Sequence, residues 1–590
     1  MRWLLIGLGV LLVIQFLPKF FGGNSSELQP LRSEGTVMPS TRRPERKCEI
    51  WTPSFHATLS SRGASLKHFY LLQAKYRHAG KPIDLSTTPD VEMRRQLRVS
   101  LRNEAVAGPK DPSWQIDFDE FDWNIEKSDS KTCVFSYRDK KVALRKTIST
   151  TARPYELSVT TEITNLDKVE RRHALVVDTA AWRSQAEVHG KMFRVSPFLT
   201  HVECVGLDGK AKRLQQSDFK ADEFKGPNFA AGGLNPGDWF QASGGVAVAA
   251  VSNAYFTDAL VPQSAPDHLS PVCQLQVEDR WDPSHYKKLD EDPKGGSMYR
   301  ARLAYPAMEL APDQSASYTF LSFVGPKERK VLAEAGGGAT RLSDLIDLGF
   351  FSAIAKILVG FLLTVHQVIP NWGLAIIILT LTARLLLFPL AIPSIKNMVK
   401  MRELKPEIDA LNARFKDDAQ AKGLAQMELW RKHKVNPLKG CLPQLASMPV
   451  WFALYTTLQT AVELYNIPFL WFPDLSLPDP YFVLPFVIGG TSFLQQKMMP
   501  MQGDAAQQKM MLYLMPGMFT VFMLFLPSGL GVYMFTNGVL GILQQQVVER
   551  HARRTLTVNP PSTHKDVNAT ESRSSGKIQK RRTPSAKGKA

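Results

Sequence analysis

The sequence predicts a multidomain membrane protein: an N-terminal anchor helix, a β-sandwich outside the membrane and a helical region of five further spans. Three observations lead there. Residues from about 24 to 340 are mixed and polar, whereas 350 to 548 are strongly apolar and rich in Trp, Phe, Met and Pro. Short alternating runs dominate the first stretch, and apolar runs of spanning length dominate the second. Lys and Arg crowd into some connections and are missing from others. Averages conceal this division, since a mean hydropathy of −0.15 with 22% charged residues would suit a soluble chain. At 590 residues there is room for several domains.

In residues 1–23 one positive charge, Arg2, stands ahead of the apolar run "WLLIGLGVLLVIQFL", which "PKFFGG" follows. No A-x-A-like site follows, so an uncleaved anchor is predicted rather than a cleaved signal peptide. Arg2 puts its leading end in the cytoplasm. Residues 24–45, "NSSELQPLRSEGTVMPSTRRPE", read as a linker.

From 46 to 335 the pattern is mostly β. "YELSVTTEIT" (Tyr155 to Thr164), "VALRKTIS", "CQLQVE" and "SYTFLSFVG" alternate between Gly-, Pro- and Asp-rich breaks. So many short strands without a sustained helical period predict a β-sandwich. The five cysteines match no zinc or CxxC spacing. Cys48, Cys133, Cys204 and Cys273 fall in this domain, where they can pair in three ways or remain free buried thiols. Cys441 opens an apolar span.

Residues 350–370 are long enough to span, but Ser352, Lys356, Gly360, Thr364 and Gln367 form one polar stripe. That predicts an amphipathic helix lying in the interface. The remaining spans are predicted at about 372–392, 441–464, 481–499, 510–526 and 530–548, within a helical region covering 371–548. Charge placement tests the count. The connection 394–439 carries eleven Lys and Arg, and Glu463 to Pro480 carries none. By the positive-inside rule the first is cytoplasmic and the second external. With six spans in all, both termini are cytoplasmic, including the basic tail 549–590. A seventh span at 350–370 would put that tail outside.

The connection 394–439 reads as a helical hairpin, split near "KDDAQ". It is either a docking surface or a solvated charged hairpin, and its residues alone leave both open. The tail is rich in Lys, Arg and Ser and lacks aromatics that would stack on bases. It either meets ribosomal RNA through phosphates or extends unbound. A net charge of +17 suits nucleic acid and an anionic membrane equally.

Arg384 is the residue that demands an explanation. It lies 12 residues after Trp372 and 12 before Lys396, roughly 18 Å from either marker. A guanidinium at that depth costs between ~2.5 and ~17 kcal/mol, depending on the reference state. Thr380 is one turn earlier on the same face. Gln444, Ser447, Trp451, Tyr455 and Gln459 share a face of the third span, and Tyr533, Asn537 and Gln544 share one of the last. No Asp or Glu lies at membrane depth to pair with Arg384; Glu463 sits at the external end of its span. Ion-coupled transporters usually carry such a carboxylate. The alternative function is nonetheless a transporter or flippase for an anionic solute or lipid. No GxxxxGK[ST], HExxH or GxSxG occurs, and His56, His68 and His201 have no ligand spacing. No catalytic residue, metal or cofactor is predicted, and no enzyme activity.

"TARLLLFPL", "MRELKPEIDAL", "KVNPLKGCLPQLASMPVWFALY", "LPDPYFVLPFVIGGTSFLQQKMMP" and "FTVFMLFLPSGLGVYMFTNGVLGILQQQ" closely resemble the YidC family of bacterial membrane-protein insertases. "DWFQASGGVAVAAVSNAYFTDALVP" and "LSFVGPKE" are similar to its external domain. The resemblance implies an α-helical five-span insertase core, and a β-super-sandwich periplasmic domain at 46–335. It implies a multi-pass protein of the bacterial inner membrane, with residues about 24–370 in the periplasm. Arg384 would be the charge of a hydrophilic groove open to cytoplasm and lipid, lined by Thr380, Gln444, Ser447 and Asn537. Trp451, Phe522 and Tyr533 would meet the client helix. The implied partners are nascent integral membrane proteins, membrane lipids, the Sec translocon, and the ribosome with signal-recognition targeting components.

Overall fold

The computed structural model describes residues 43–78, 80–89, 94–105, 122–188, 199–219, 239–287, 289–415, 418–433, 435, 437–499 and 508–555, with two-residue strands at 36–37 and 118–119. The predicted anchor, most of the linker and the tail beyond 555 lie outside these residues, as do the side chains of 436–447.

The first half folds through tight hairpins that its aspartates close. Asp129 Oδ1 accepts from the amides of Lys131 (2.9 Å) and Thr132 (2.7 Å), and Asp139 Oδ1 from those of Lys141 (2.6 Å) and Val142 (2.7 Å). These Asx turns join Asn124–Ser128, Thr132–Arg138 and Val142–Thr150 into a meander. It is one edge of a nine-stranded antiparallel sheet. From the other edge the order is Ala211–Leu214, His201–Gly206, Val246–Ser252, Phe256–Ser264, Ser315–Pro326, Glu156–Asn165, and then the meander reversed. The predicted alternation is the register seen. Glu156–Asn165 pairs with Ser315–Pro326 so that Val159 opposes Phe320 and Ile163 opposes Ala316, and all four side chains enter the core.

A second antiparallel sheet runs Phe240–Gln241, Val272–Arg280, Gly296–Ala304, Arg171–Ser184 and Met308–Leu310, with Val99–Ala105 also paired to Arg171–Ser184. Lys47–Trp51, Phe55–Ser60 and Ser65–Leu71 form a three-stranded sheet. One apolar core draws on all three. Disulfides join Cys48 to Cys133 and Cys204 to Cys273, resolving the pairing that spacing left open. They enclose sequence separations of 85 and 69 residues, loops long enough for each cross-link to stabilise by a few (~2–5) kcal/mol.

Some of this interior is polar. Arg300 Nη2 is 3.0 Å from Asp178 Oδ2, its Nη1 is 2.8 Å from Gln276 Oε1, and the Arg302 guanidinium lies 3.5 Å from the Trp239 ring centre. No local pattern announces this network, because its members come from four separate segments.

The second half is helical. Helix α1 (Arg329–Glu334) leads through turns to α2 (Ser352–Val368). In α2, Ala355, Val359 and Leu362 pack inward, while Lys356, Gly360, Thr364 and Gln367 face out. Helix α3 (Trp372–Glu403) starts at an Asn371 cap, whose side chain accepts from Leu374 N at 3.0 Å. It does not stop near 392 but continues through Pro389 and Pro393, because Ile395, Val399 and Met401 still find apolar cover.

The hairpin follows as α4 (Lys405–Arg414) and α5 (Ala419–Lys432), tied by Gln426 to Asn412 at 2.9 Å. Then come α6 (Pro437–Gln459), α7 (Val483–Met498), α8 (Met510–Met523, opened by a π-type turn) and α9 (Ser528–Thr555). Among the described residues one helix, α3 over Trp372–Pro389, is long and apolar enough to cross a membrane by length and composition. The apolar helices α2 and α8 are shorter.

The halves are joined by the α6–α7 connection. Helix α6 ends at Gln459 instead of 464 because Val462 and Tyr465 turn into the core of the strand domain. Tyr465 meets Tyr76, Tyr255 and Phe256. Arg329 Nη1 holds Glu463 Oε2 at 2.8 Å, and Asn466 donates to Lys75 O (3.2 Å) and Arg77 O (3.3 Å).

One buried titratable group gives this fold a pH dependence. His173 is enclosed against Tyr318, with Nε2 and the phenol oxygen 2.8 Å apart. Burial disfavours the imidazolium and lowers its pKa from 6.5 to about 4. As pH falls below about 6.5 the unfolded chain takes up this proton first, so stability drops through the window 6.5 to 4, by up to about 3 kcal/mol. Denaturant unfolding at pH 7 and 4.5 should show the loss, and His173→Phe should shrink the difference between the two.

Candidate functional site

Arg384 sits on α3 and reaches α9. Its Nε is 2.6 Å from Asn537 Oδ1, Nη2 is 2.9 Å from the Asn537 carbonyl, and Nη1 is 3.3 Å from Gln544 Oε1. Three of the five guanidinium donors are thus engaged, all by neutral oxygens. The other two have no acceptor among the described residues, and the side chain is half-buried. Amides satisfy the geometry of the guanidinium without cancelling its charge, so a net positive charge stands between α3 and α9.

The approach depends on one missing side chain. A Cβ at Gly541 would lie 3.1 Å from Arg384 Nη2 and 2.8 Å from Gln495 Nε2. Gln495, from α7, donates to the Gly538 carbonyl at 3.0 Å. Asn537, Gly541 and Gln544 fall at three- and four-residue spacing, one face of α9. Further along the same pair of helices, Arg402 Nη1 bonds Glu549 Oε1 at 2.7 Å. Arg402 also donates to the Met498 carbonyl at the end of α7, which Gln545 reaches at 3.1 Å. Of these two rungs, the ionic one lies beyond the apolar part of α3 and the amide one lies within it.

The other predicted residues divide. Asn537 joins Arg384 directly. Thr380 is buried, and its hydroxyl donates to Ile376 O at 2.7 Å, one turn back in its own helix. It therefore does not line a polar path here. Gln444 and Ser447 lie on α6, and their side chains are outside the described residues. Trp451 is half-buried, with Nε1 3.0 Å from Met534 Sδ, and Phe522 is exposed on α8. Tyr533 is buried in the helical core, so it is not on the surface with Phe522. Gln495 and Gly541 are not singled out by the sequence, which names Gln544 on the polar face of the last span but gives it no role in the groove. The signal for the glutamines was present, as amides inside apolar runs, but nothing local says which neighbour they meet.

If Gly541 makes room for the guanidinium, Gly541→Leu must displace Arg384 and Gln495. It should destabilise the detergent-solubilised protein by about 1–3 kcal/mol, read as a lowered unfolding midpoint. Gly517→Leu on α8, where an added Cβ meets nothing within 4 Å, should leave that midpoint unchanged.

Comparison with known proteins bears on both halves. The family model described as the 60Kd inner membrane protein matches residues 364–555, and that of the YidC periplasmic domain matches 47–361. A membrane protein insertase YidC from Anaeromyxobacter dehalogenans (strain 2CP-C) is 35% identical over 534 residues, 87% of each chain. One from Geotalea daltonii (strain DSM 22248 / JCM 15807 / FRC-32) is 30% identical over 540 residues, 89% of this chain and 91% of that one. A crystal structure of an active YidC insertase with its first transmembrane domain resolved covers 92% of this chain and 99% of that one, at 16% identity and a TM-score of 0.34. That of a galactose mutarotase-like protein from Lactobacillus casei covers 47% of this chain and 100% of its own, at 13% identity and a TM-score of 0.31. Scores this low carry no argument. The sequence matches do, and by the two family models and these near-full-length relatives the chain belongs to the YidC family.

Proposed function

We propose that this protein is a membrane-protein insertase of the inner membrane. It eases a polar segment of a client into the bilayer along the Arg384 face while the client's apolar helix passes into lipid. The observation that carries this reading is the Arg384 guanidinium, inside an apolar helix and bound only by amides. A charge left uncancelled there attracts water and acidic or polar chain, and lowers the cost of desolvating the passing segment. Burial of the client helix drives the step, helped by a membrane potential at ~2.3 kcal/mol per charge per 100 mV. No nucleotide enters this scheme.

In this reading α3, α6, α7, α8 and α9 are the five spans, α2 lies in the interface and residues 1–23 anchor the chain. Residues 46–335 stand in the periplasm, and α4–α5 with the tail face the cytoplasm. Asn537, Gln544 and Gln495 line the polar path together with Gln444 and Ser447. Trp451 and Phe522 offer the client apolar contact. The relatives' name, membrane protein insertase, supports the activity. The further partners we propose are the Sec translocon for the outer domain, and targeting factors and the ribosome for the hairpin and tail.

The test uses purified protein in liposomes with neither nucleotide nor translocon. A one-span client with a short acidic outer tail is added, and protease protection reports the crossing. Protection should depend on the protein and fall several-fold in Arg384→Ala. Asn537→Asp, which keeps an acceptor but neutralises the charge, should fall likewise. Protection that ignores both variants removes the charge from the mechanism. Protection equal to that of lipid-only vesicles favours the transporter or flippase reading. Separately, pelleting with ribosomes across a salt series should weaken when residues 551–590 are deleted. Unchanged pelleting rejects the tail as a ribosome contact.

A further inference from the structure

The α6–α7 connection buries its carboxylates and yet exposes a group of large apolar and aromatic side chains, while Val462, Leu464, Phe472 and Leu475 stay inside. Asp479 is 2% exposed, its Oδ1 accepting from Tyr481 N (3.1 Å) and Trp471 Nε1 (3.2 Å) and its Oδ2 from Leu484 N (2.7 Å) in the first turn of α7. Asp474 is 6% exposed and accepts from Ser476 N at 2.8 Å. Meanwhile Leu470 is 73% exposed, Tyr481 70%, Phe482 49% and Trp471 43%. A connection facing water has the reverse arrangement, since charged groups gain most from hydration and apolar ones lose it.

The backbone enforces this orientation. Phe469 and Phe472 exchange hydrogen bonds at 3.0 and 2.9 Å, closing a tip with Leu470 and Trp471 at its apex. Leu470 and Phe482 both take left-handed φ, +52° and +57°, a region costly for their side chains. Phe469 packs on Gly373, where a Cβ would lie 2.2 Å from the ring, so the tip is fixed beside the first turn of α3. The other side of the connection, through Glu463, Tyr465 and Asn466, is already occupied by the strand domain. From Phe482 the exposed apolar surface continues without a break onto Val483, Phe486 and Val487 of α7.

We propose that the tip formed by Leu470 and Trp471, with Tyr481 and Phe482, is seated in the headgroup layer of the bilayer on the strand-domain side. Lipid is the partner. This rests on reading α3 and α7 as spans. Trp and Tyr rings are favoured at that depth, and no Lys or Arg between Glu463 and Pro480 would draw the connection back to water. The surface is continuous with the outward face of α7, which in that reading already meets lipid. With the strand domain on one side and lipid on the other, the connection holds α6 and α7 at a fixed height in the bilayer.

The experiment uses the full-length protein carrying Cys441→Ser, so that a nitroxide goes only onto an introduced cysteine. Three versions are reconstituted in phosphatidylethanolamine/phosphatidylglycerol vesicles: Leu470→Cys, Phe486→Cys on the outward face of α7, and Leu207→Cys on the exposed surface of the strand domain. Power saturation then compares collisions with oxygen, which concentrates in lipid, against a water-soluble nickel chelate. We expect the oxygen-to-nickel ratio at 470 to exceed that at 207 several-fold and to fall below that at 486. A ratio at 470 equal to that at 207, with 486 still lipid-like, overturns the proposal and points the tip at water or at a protein partner. A water-like 486 overturns the spanning assignment, and the proposal with it.

Discussion

A guanidinium on an apolar helix, with no carboxylate beside it among the described residues, is the constraint that organises the helical half. An ion pair would have lowered its cost most simply, and the same two helices do use one, Arg402 with Glu549, farther along. At Arg384 the chain supplies only amide oxygens from α9. The consequences spread outward. Helix α9 must turn Asn537 and Gln544 toward α3, keep position 541 bare, and leave Gln495 of α7 room to reach Gly538. Of the described helices only α3, the one that carries Arg384, passes on length and composition.

The sequence was most legible where the physics is local. Alternation located the strands, and the register of Glu156–Asn165 against Ser315–Pro326 follows from it, since a slip by one would turn Val159 and Phe320 to solvent. Hydropathy singled out Arg384, which the fold sets against Asn537 and Gln544 of α9. What could not be read depends on how elements are rotated against one another. Thr380 shares a face with Arg384, yet its hydroxyl is spent on Ile376. Tyr533 shares one with Asn537, yet it is buried. Partner choice for Gln495 and Gln544, like the pairing of the four cysteines, is set by contacts between segments distant in the chain.

Helix ends were misread for the same reason. Helix α3 runs past the span expected at 372–392, through Pro389 and Pro393, because its following turns still have apolar cover. At the far end of α6 the apolar run continues to Leu464 but the helix does not, because Val462 and Tyr465 belong to a different core. An apolar residue reports that it will be buried. It does not report which domain will bury it.

That shared core has a consequence for how the molecule comes together. The strands that receive Tyr465, with Tyr76, Tyr255 and Phe256, all precede it in the chain, as does Arg329, which receives Glu463. Synthesis from the N-terminus delivers the whole receiving surface before the segment that docks on it. The early half can therefore serve as a template on which the late half is aligned, so that the placing of the end of α6 and the start of α7 is guided by a domain built before they exist. On this view the chain carries a chaperone for its own assembly.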